Sequence, residues 1–291
     1  MKIRNLMFVF LAAGMAALAG QAPAPGGARG AGPAAAADPN APMRGEDTLA
    51  QAHDGFLGAL APENLKKPRP KPPFDMTGTW FVNLRGGASF RFGPPYPEFY
   101  EPGQTAMKEA AEARAKNVPY RDSIGKCFPA GMPMIMTRVH PTSMIQMTTV
   151  IYMLFGFTNR MRFIYLDGRK HSDPDIVEYT YNGESIGRWE GKELVVHTKY
   201  LEPKEHYIDS GIPVSDQFEI IERITMEEPG MLRIDYTMTD PKMWKGEWKN
   251  TKRFIRKDYS DIPESECLPN LNENLPSTEA GQRAMDQRAR Q

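Results

Sequence analysis

Between residues 143 and 257 the chain is written in short apolar and aromatic runs separated by Gly, Asn, Asp and Pro. The runs are SMIQM, TVIYMLFG, RMRFIYLDG, EYTYNGESIGRWE, ELVVHTKYL, DQFEIIERITME, GMLRIDYTMTD and EWKNTKRFIRK. Their β-branched and aromatic content, with turn residues between them, predicts successive strands. Several alternate with period two. Met161, Phe163 and Tyr165 face one way and Arg162 and Ile164 the other; Leu232, Ile234 and Tyr236 partly alternate against Arg233, Asp235 and Thr237. A long meander of this kind closes into a barrel or a strongly curled sheet. One segment breaks the pattern. Residues 103–117 (GQTAMKEAAEARAKN) are rich in Ala, Glu, Lys and Arg, the composition of an exposed helix, and stop before Pro119.

The opening of the folded part is placed at Asp75. The Gly78-Thr79-Trp80 triplet there resembles the first strand of a lipocalin-type barrel, in which a Trp plugs the base and a Gly allows close backbone approach. The expected fold is therefore mainly β, an antiparallel lipocalin-like barrel over residues 75–275 with a short peripheral helix. The flanks read differently. Residues 1–19 carry Lys2 and Arg4, an apolar run and an Ala17-Leu18-Ala19 end, the pattern of a cleaved signal peptide. Residues 20–74 are an Ala/Pro/Gly-rich linker and Pro-rich connector, with a short broken helix expected at 46–60, and 276–291 a flexible polar tail.

Composition narrows the partners. Lys+Arg and Asp+Glu are both 36 in 291 residues, so the chain has no basic field of the kind a nucleic-acid binder needs. Export implies no integral membrane segment after cleavage and a periplasmic or secreted location. It also makes the two cysteines, Cys127 and Cys267, a predicted disulfide.

The ordered series CFPAGMP (127–133), IYLDGRKH, SIGRWEG, LVVHT and FEIIERI resembles a group of largely uncharacterised secreted bacterial proteins, over about residues 75–270. That resemblance implies a lipocalin-like barrel and a late cysteine where Cys267 stands. The chain departs from the group's pattern at His197, where an Asp is usual, and at Val214, where a His is usual.

The chemistry-bearing residues are scattered. No H-x-H, H-E-x-x-H, G-x-S-x-G, G-x-G-x-x-G or P-loop pattern occurs, so neither a metal nor a cofactor is expected. Acid/base chemistry by side chains remains. His197 and His171 are the candidate bases. Arg188 is a candidate oxyanion anchor if it points into the barrel; the competing reading pairs it across strands with an acid such as Glu219 or Glu222. Tyr165 and Tyr179 are candidate donors to a leaving phenolate. Arg138, His140, Met134, Met147 and Trp189 are candidate substrate contacts, the methionines because they line adaptable apolar sites as readily as they fill cores. His206, in a loop-like stretch, is expected mainly at the surface. Two functions stay open. One is a cofactor-independent periplasmic enzyme acting on a small aromatic or apolar substrate, extended on substrate class alone to a lyase that releases formaldehyde from lignin-derived dimers. The other is a non-catalytic barrel that carries an apolar small molecule.

Overall fold

The computed structural model describes residues 57–85, 90–118, 120–121, 123–209 and 211–267. The expected signal peptide, the linker up to residue 56 and the tail beyond residue 267 lie outside the described residues. The chain runs α1 (Pro62–Leu65), β1 (Gly78–Val82), β2 (Glu98–Phe99) and α2 (Glu101–Ala115), then β3 (Thr142–Gln146), β4 (Val150–Phe155) and β5 (Met161–Tyr165). It continues with β6 (Glu184–Glu190), β7 (Glu193–Lys199), β8 (Tyr207–Ile208), β9 (Ile212–Pro213), β10 (Glu219–Glu228), β11 (Met231–Thr239), β12 (Trp244–Lys245) and β13 (Glu247–Arg256).

Nine strands close a barrel in the order β1-β13-β11-β10-β7-β6-β5-β4-β3. The mainly β, closed-barrel expectation holds, and α2 is the peripheral helix. The strand directions differ in one place from a purely antiparallel barrel. Directions cannot alternate all the way round an odd ring, so at least one neighbouring pair must be parallel. Here it is β5–β6, with Ile164 opposite Ser185 and Tyr165 opposite Ile186, while the other eight junctions are antiparallel. A parallel pair needs a long crossover rather than a hairpin. Residues 166–183 supply it, and Thr180 bridges back to Leu201 beyond β7.

Alternation decides what fills the barrel. Trp80, Val82, Met144, Ile151, Met153, Phe155 and Ile164 point inward and are buried, as are Leu194, Val196, Ile220, Ile224, Leu232, Ile234, Tyr236, Met238, Trp248 and Phe254. They form one contiguous core. Met132, Met136, Met144 and Met153 belong to it, so these methionines fill the core. Gly78 has φ +141°, and a Cβ there would lie 3.2 Å from the Arg256 guanidinium, which itself stacks 4.8 Å from the Trp80 ring centroid. That is the close approach the Gly-Thr-Trp triplet anticipates. Gly187 is small for a different reason. A Cβ would meet Leu166 at 2.7 Å and Ile164 at 2.9 Å, where the crossover passes over β6.

Charged groups also lie inside: Lys252 is buried on the inward face of β13, and an ion pair sits deeper in the core. Arg162 and Glu222 form an ion pair with both side chains fully buried. Arg162 also donates to Ser185 Oγ and Thr198 Oγ1, each at 3.0 Å, and those hydroxyls are 2.9 Å apart. A buried ion pair persists only when its remaining donors and acceptors are met in this way.

The ends of the barrel are dressed by the chain's irregular parts. Phe92 is buried beside Tyr236, and its carbonyl accepts from Trp248 Nε1 at 3.0 Å and Asn250 Nδ2 at 2.8 Å. The connector is tighter than its composition implies. Asn64 is buried and donates to Asp167 at 3.0 Å, and Phe74 meets Trp189 edge to face at 5.0 Å, so residues 58–74 dock on the barrel. Cys127 and Cys267 form the expected disulfide, with Cα atoms 5.5 Å apart. Among the described residues, no helix is long and apolar enough to cross a membrane.

Candidate functional site

The outward face of β6, β7 and β10 holds the groups of interest, and strand register explains how they meet. On β7, inward Leu194, Val196 and Thr198 leave His197 and Lys199 pointing out. Antiparallel pairing sets His197 against Ile186 of β6 and Ile221 of β10, two apolar neighbours. The next outward position of β10 towards its start is Glu219. Its carboxylate takes His197 Nε2 at 2.8 Å and Lys199 Nζ at 3.1 Å. On β6 the outward residue at the matching end is Glu184, opposite Lys199.

The crossover then lays a second imidazole over the first. His171 Nδ1 lies 2.7 Å from Glu184 Oε2. Ser172 donates to the same carboxylate from its hydroxyl at 2.6 Å and its backbone N–H at 2.9 Å, and Tyr200 Oη donates to the Ser172 carbonyl at 2.7 Å. The His171 and His197 rings meet edge to face, 4.9 Å between centroids. The result is a row: Glu184, His171, His197, Glu219, Lys199.

The tautomers follow from the partners. A carboxylate only accepts, so in the neutral rings His171 carries its proton on Nδ1 and His197 on Nε2. The proton-accepting nitrogens are then His171 Nε2, which is buried and makes no hydrogen bond, and His197 Nδ1. Burial holds His197 below the usual histidine range. The hydrogen bond and charge of Glu219 oppose that, and the charges of His171 and Lys199 reinforce it. Burial pushes the Glu219 carboxyl up, but hydrogen bonds from His197 and Lys199 outweigh it and leave the acid below its ordinary value. Glu184 follows the same pattern, with His171 and Ser172 as the donors. The hydrogen bond to Glu219 raises Lys199, which stays an ammonium.

The Glu219–Lys199 end of this row borders a cleft of about 790 Å³, and neither imidazole is among its lining residues. Lys199 and Glu219 line it directly, with aromatic walls from Tyr100, Tyr179, Tyr200, Phe218 and Trp244. Tyr179 and Tyr200 meet edge to face at 5.7 Å. The buried Trp244 Nε1 has no hydrogen-bond acceptor.

Of the residues expected from the sequence, the structure brings together His171, His197 and Tyr179. Others go elsewhere. Arg188 is the clearest correction. It points outward, is largely exposed, and pairs with Glu190 of its own strand at 2.6 Å, because Ser185, Gly187 and Trp189 take the inward face. It pairs with neither Glu219 nor Glu222. The interior arginine is Arg162. Tyr165 lies on the outer face of β5 with the Arg169 guanidinium 3.8 Å from its ring centroid, and Arg169 in turn pairs with Asp167. Trp189 packs on the core. Arg138 donates to the Met134 carbonyl at 3.4 Å, closing the turn at Met134–Thr137, and Met134 packs on the core from that turn. Met147 sits in the β3–β4 hairpin, bonded to Val150 at 2.9 Å. His140 packs against Phe157 at 5.3 Å. None of these seven lines the cleft. His206, expected at the surface, is fully buried between the carbonyls of Glu202 and Met132 at 2.9 and 2.8 Å.

The residues that sequence reasoning missed are Glu184, Lys199, Tyr200 and Trp244, together with the role of Glu219. Lys199 was readable, since it stands two residues from His197 and so shares its strand face. The carboxylates were not, because they come from other strands whose register the sequence leaves open.

The arrangement defines a closed β-barrel carrying two carboxylate-held imidazoles behind an aromatic cleft on its outer wall. No protein-family model matches the chain, and no curated protein sequence matches it.

Proposed function

We propose that the protein is an enzyme that performs acid/base chemistry with its own side chains on a small aromatic molecule held in this cleft. One observation carries the proposal. Glu219, a cleft-lining carboxylate, fixes an imidazole through Nε2 and an ammonium through its other oxygen. A base oriented by a third group is the pattern that acid/base catalysis requires. His197 Nδ1 takes a proton from a substrate hydroxyl. Lys199 stabilises the oxyanion that develops, the role expected of Arg188. Tyr179 donates to a leaving oxygen, and the rings of Tyr200, Phe218 and Trp244 hold the aromatic group. A hydroxymethyl-bearing lignin-derived dimer, losing that carbon as formaldehyde, fits these roles. Export by cleavage of residues 1–19 belongs to the same proposal and is supported by the disulfide, which persists in oxidising compartments.

The test is turnover of a panel of lignin-derived dimers by protein beginning at Gly20, followed by liquid chromatography and a formaldehyde assay, with His197→Ala alongside. The expected result is product formation that falls by about 10²-fold or more in the variant, the usual contribution of a positioned base. Tight retention of a panel member without turnover would instead identify a carrier.

A further inference from the structure

Resting on that reading of His197, we propose that the Glu184–His171 dyad on the β5–β6 crossover is the positioning unit for His197, fixing its ring and leaving its Nδ1 as the proton acceptor. His197 has few other restraints. Its cross-strand neighbours are Ile186 and Ile221, which offer shape but no polar contact. Glu219 holds only the Nε2 edge. His171 meets the ring in an edge-to-face contact, 4.9 Å between centroids.

His171 is itself over-determined for a surface imidazole. Glu184 holds it, Ser172 holds Glu184 twice, and Tyr200 holds Ser172. Such a chain locks a side chain in one rotamer, which is what a supporting group must do for a base to stay in register with its substrate. A solvated turn histidine has no need of three further residues.

The dyad also acts electrostatically. The charged groups that face His197 are Glu219 from β10, Lys199 from its own strand and His171 from the crossover, with Glu184 on the far side of His171. Burial is the main influence that keeps His197 neutral; Glu219 favours the imidazolium, and His171 and Lys199 oppose it to a smaller extent. The crossover therefore supplies orientation and adds to the influences that keep the ring neutral.

Two variants test this by NMR titration of the His197 ring in the free protein: His171→Phe, which keeps an aromatic ring at the contact, and Glu184→Gln, which keeps the shape of the carboxylate. The His197 midpoint should rise in His171→Phe, which removes a contribution that opposes its protonation. In Glu184→Gln the ring signals of His197 should broaden or split as the clamp on His171 loosens. Where turnover is found, kcat should fall in both with little change in KM, and the acid limb of the pH profile should follow the NMR midpoint. A His197 midpoint and lineshape unchanged in both folded variants would overturn the proposal. Because the titration is read without substrate, a failure to find turnover would count against the enzyme reading and leave this result standing by itself.

Discussion

The Arg162–Glu222 pair offers the most direct test of whether the barrel interior is dry. Both side chains are fully buried, and the pair spans β5 and β10 with Ser185 and Thr198 completing the guanidinium's bonds. Removing one partner leaves an uncompensated charge in a low-dielectric core, at a cost of about 3–5 kcal/mol. Arg162→Met strands Glu222, and Glu222→Leu strands Arg162. For a domain of this size each kcal/mol moves the midpoint by about 2–4 °C, so each single variant should melt roughly 10 °C lower. The double variant Arg162→Met/Glu222→Leu removes both charges. Ser185 and Thr198 still bond each other at 2.9 Å, so no hydroxyl is orphaned. Its stability should return to within about 2 kcal/mol of the parent, because a hydrophobic pair of similar volume commonly replaces a buried ion pair without loss. Urea unfolding of the four proteins, read as a double-mutant cycle, gives the coupling energy. Singles that each cost under about 1 kcal/mol and simply add in the double would refute the reasoning. They would mean that solvent reaches the pair and that the interior is open, which favours a carrier over a solid scaffold.

Two further outcomes follow from buried groups. His206 is fully buried, and desolvation pulls it down to about 4 against backbone hydrogen bonds that favour its charge. A folded-state value below the unfolded one of about 6.5 means that the unfolded chain binds the proton first, so stability is full above pH 6.5 and is lost as pH falls towards 4. Urea midpoints should record about 2 kcal/mol lost between pH 7 and 5 from this residue, and His206→Gln should flatten that slope; an unchanged slope would show the ring is not the cause. The Cys127–Cys267 bridge joins residues 140 apart in sequence, for which loop-closure entropy gives about 5 kcal/mol. Dithiothreitol should lower the urea midpoint of the parent and leave Cys267→Ser unaffected.

Much of the barrel was legible because strands declare themselves through period-two alternation. The faces of β5 were assigned correctly, with Arg162 beside Ile164. What alternation cannot supply is which face is the inside. Arg188 and Arg162 sit on equally good strands, and only closure of the ring turns one to water and the other to Glu222. Register was the second gap. His197 and Glu219 meet because β10 pairs with β7 such that Ile221 stands opposite His197, a relation no local pattern encodes. Composition misjudged the connector in the opposite sense. KKPRPKPPF has few large apolar groups, yet Asn64 just before it and Phe74 at its end anchor it through one hydrogen bond and one ring contact.

The candidate site lies on the outward faces of β6, β7 and β10. Here the parallel junction of the nine-strand ring falls between two strands consecutive in the chain, β5 and β6, so a crossover rather than a hairpin joins them. That crossover lies across the outward face of β6 and β7, and it is the segment that carries His171, Ser172 and Tyr179. A hairpin at this place would leave Glu184 without His171 and Ser172. Inside, the same closure commits the barrel to packing around Trp80, Trp248 and the Arg162 pair. The barrel therefore serves as the rigid support, and the candidate groups lie where an 18-residue crossover, residues 166–183, passes over its strands.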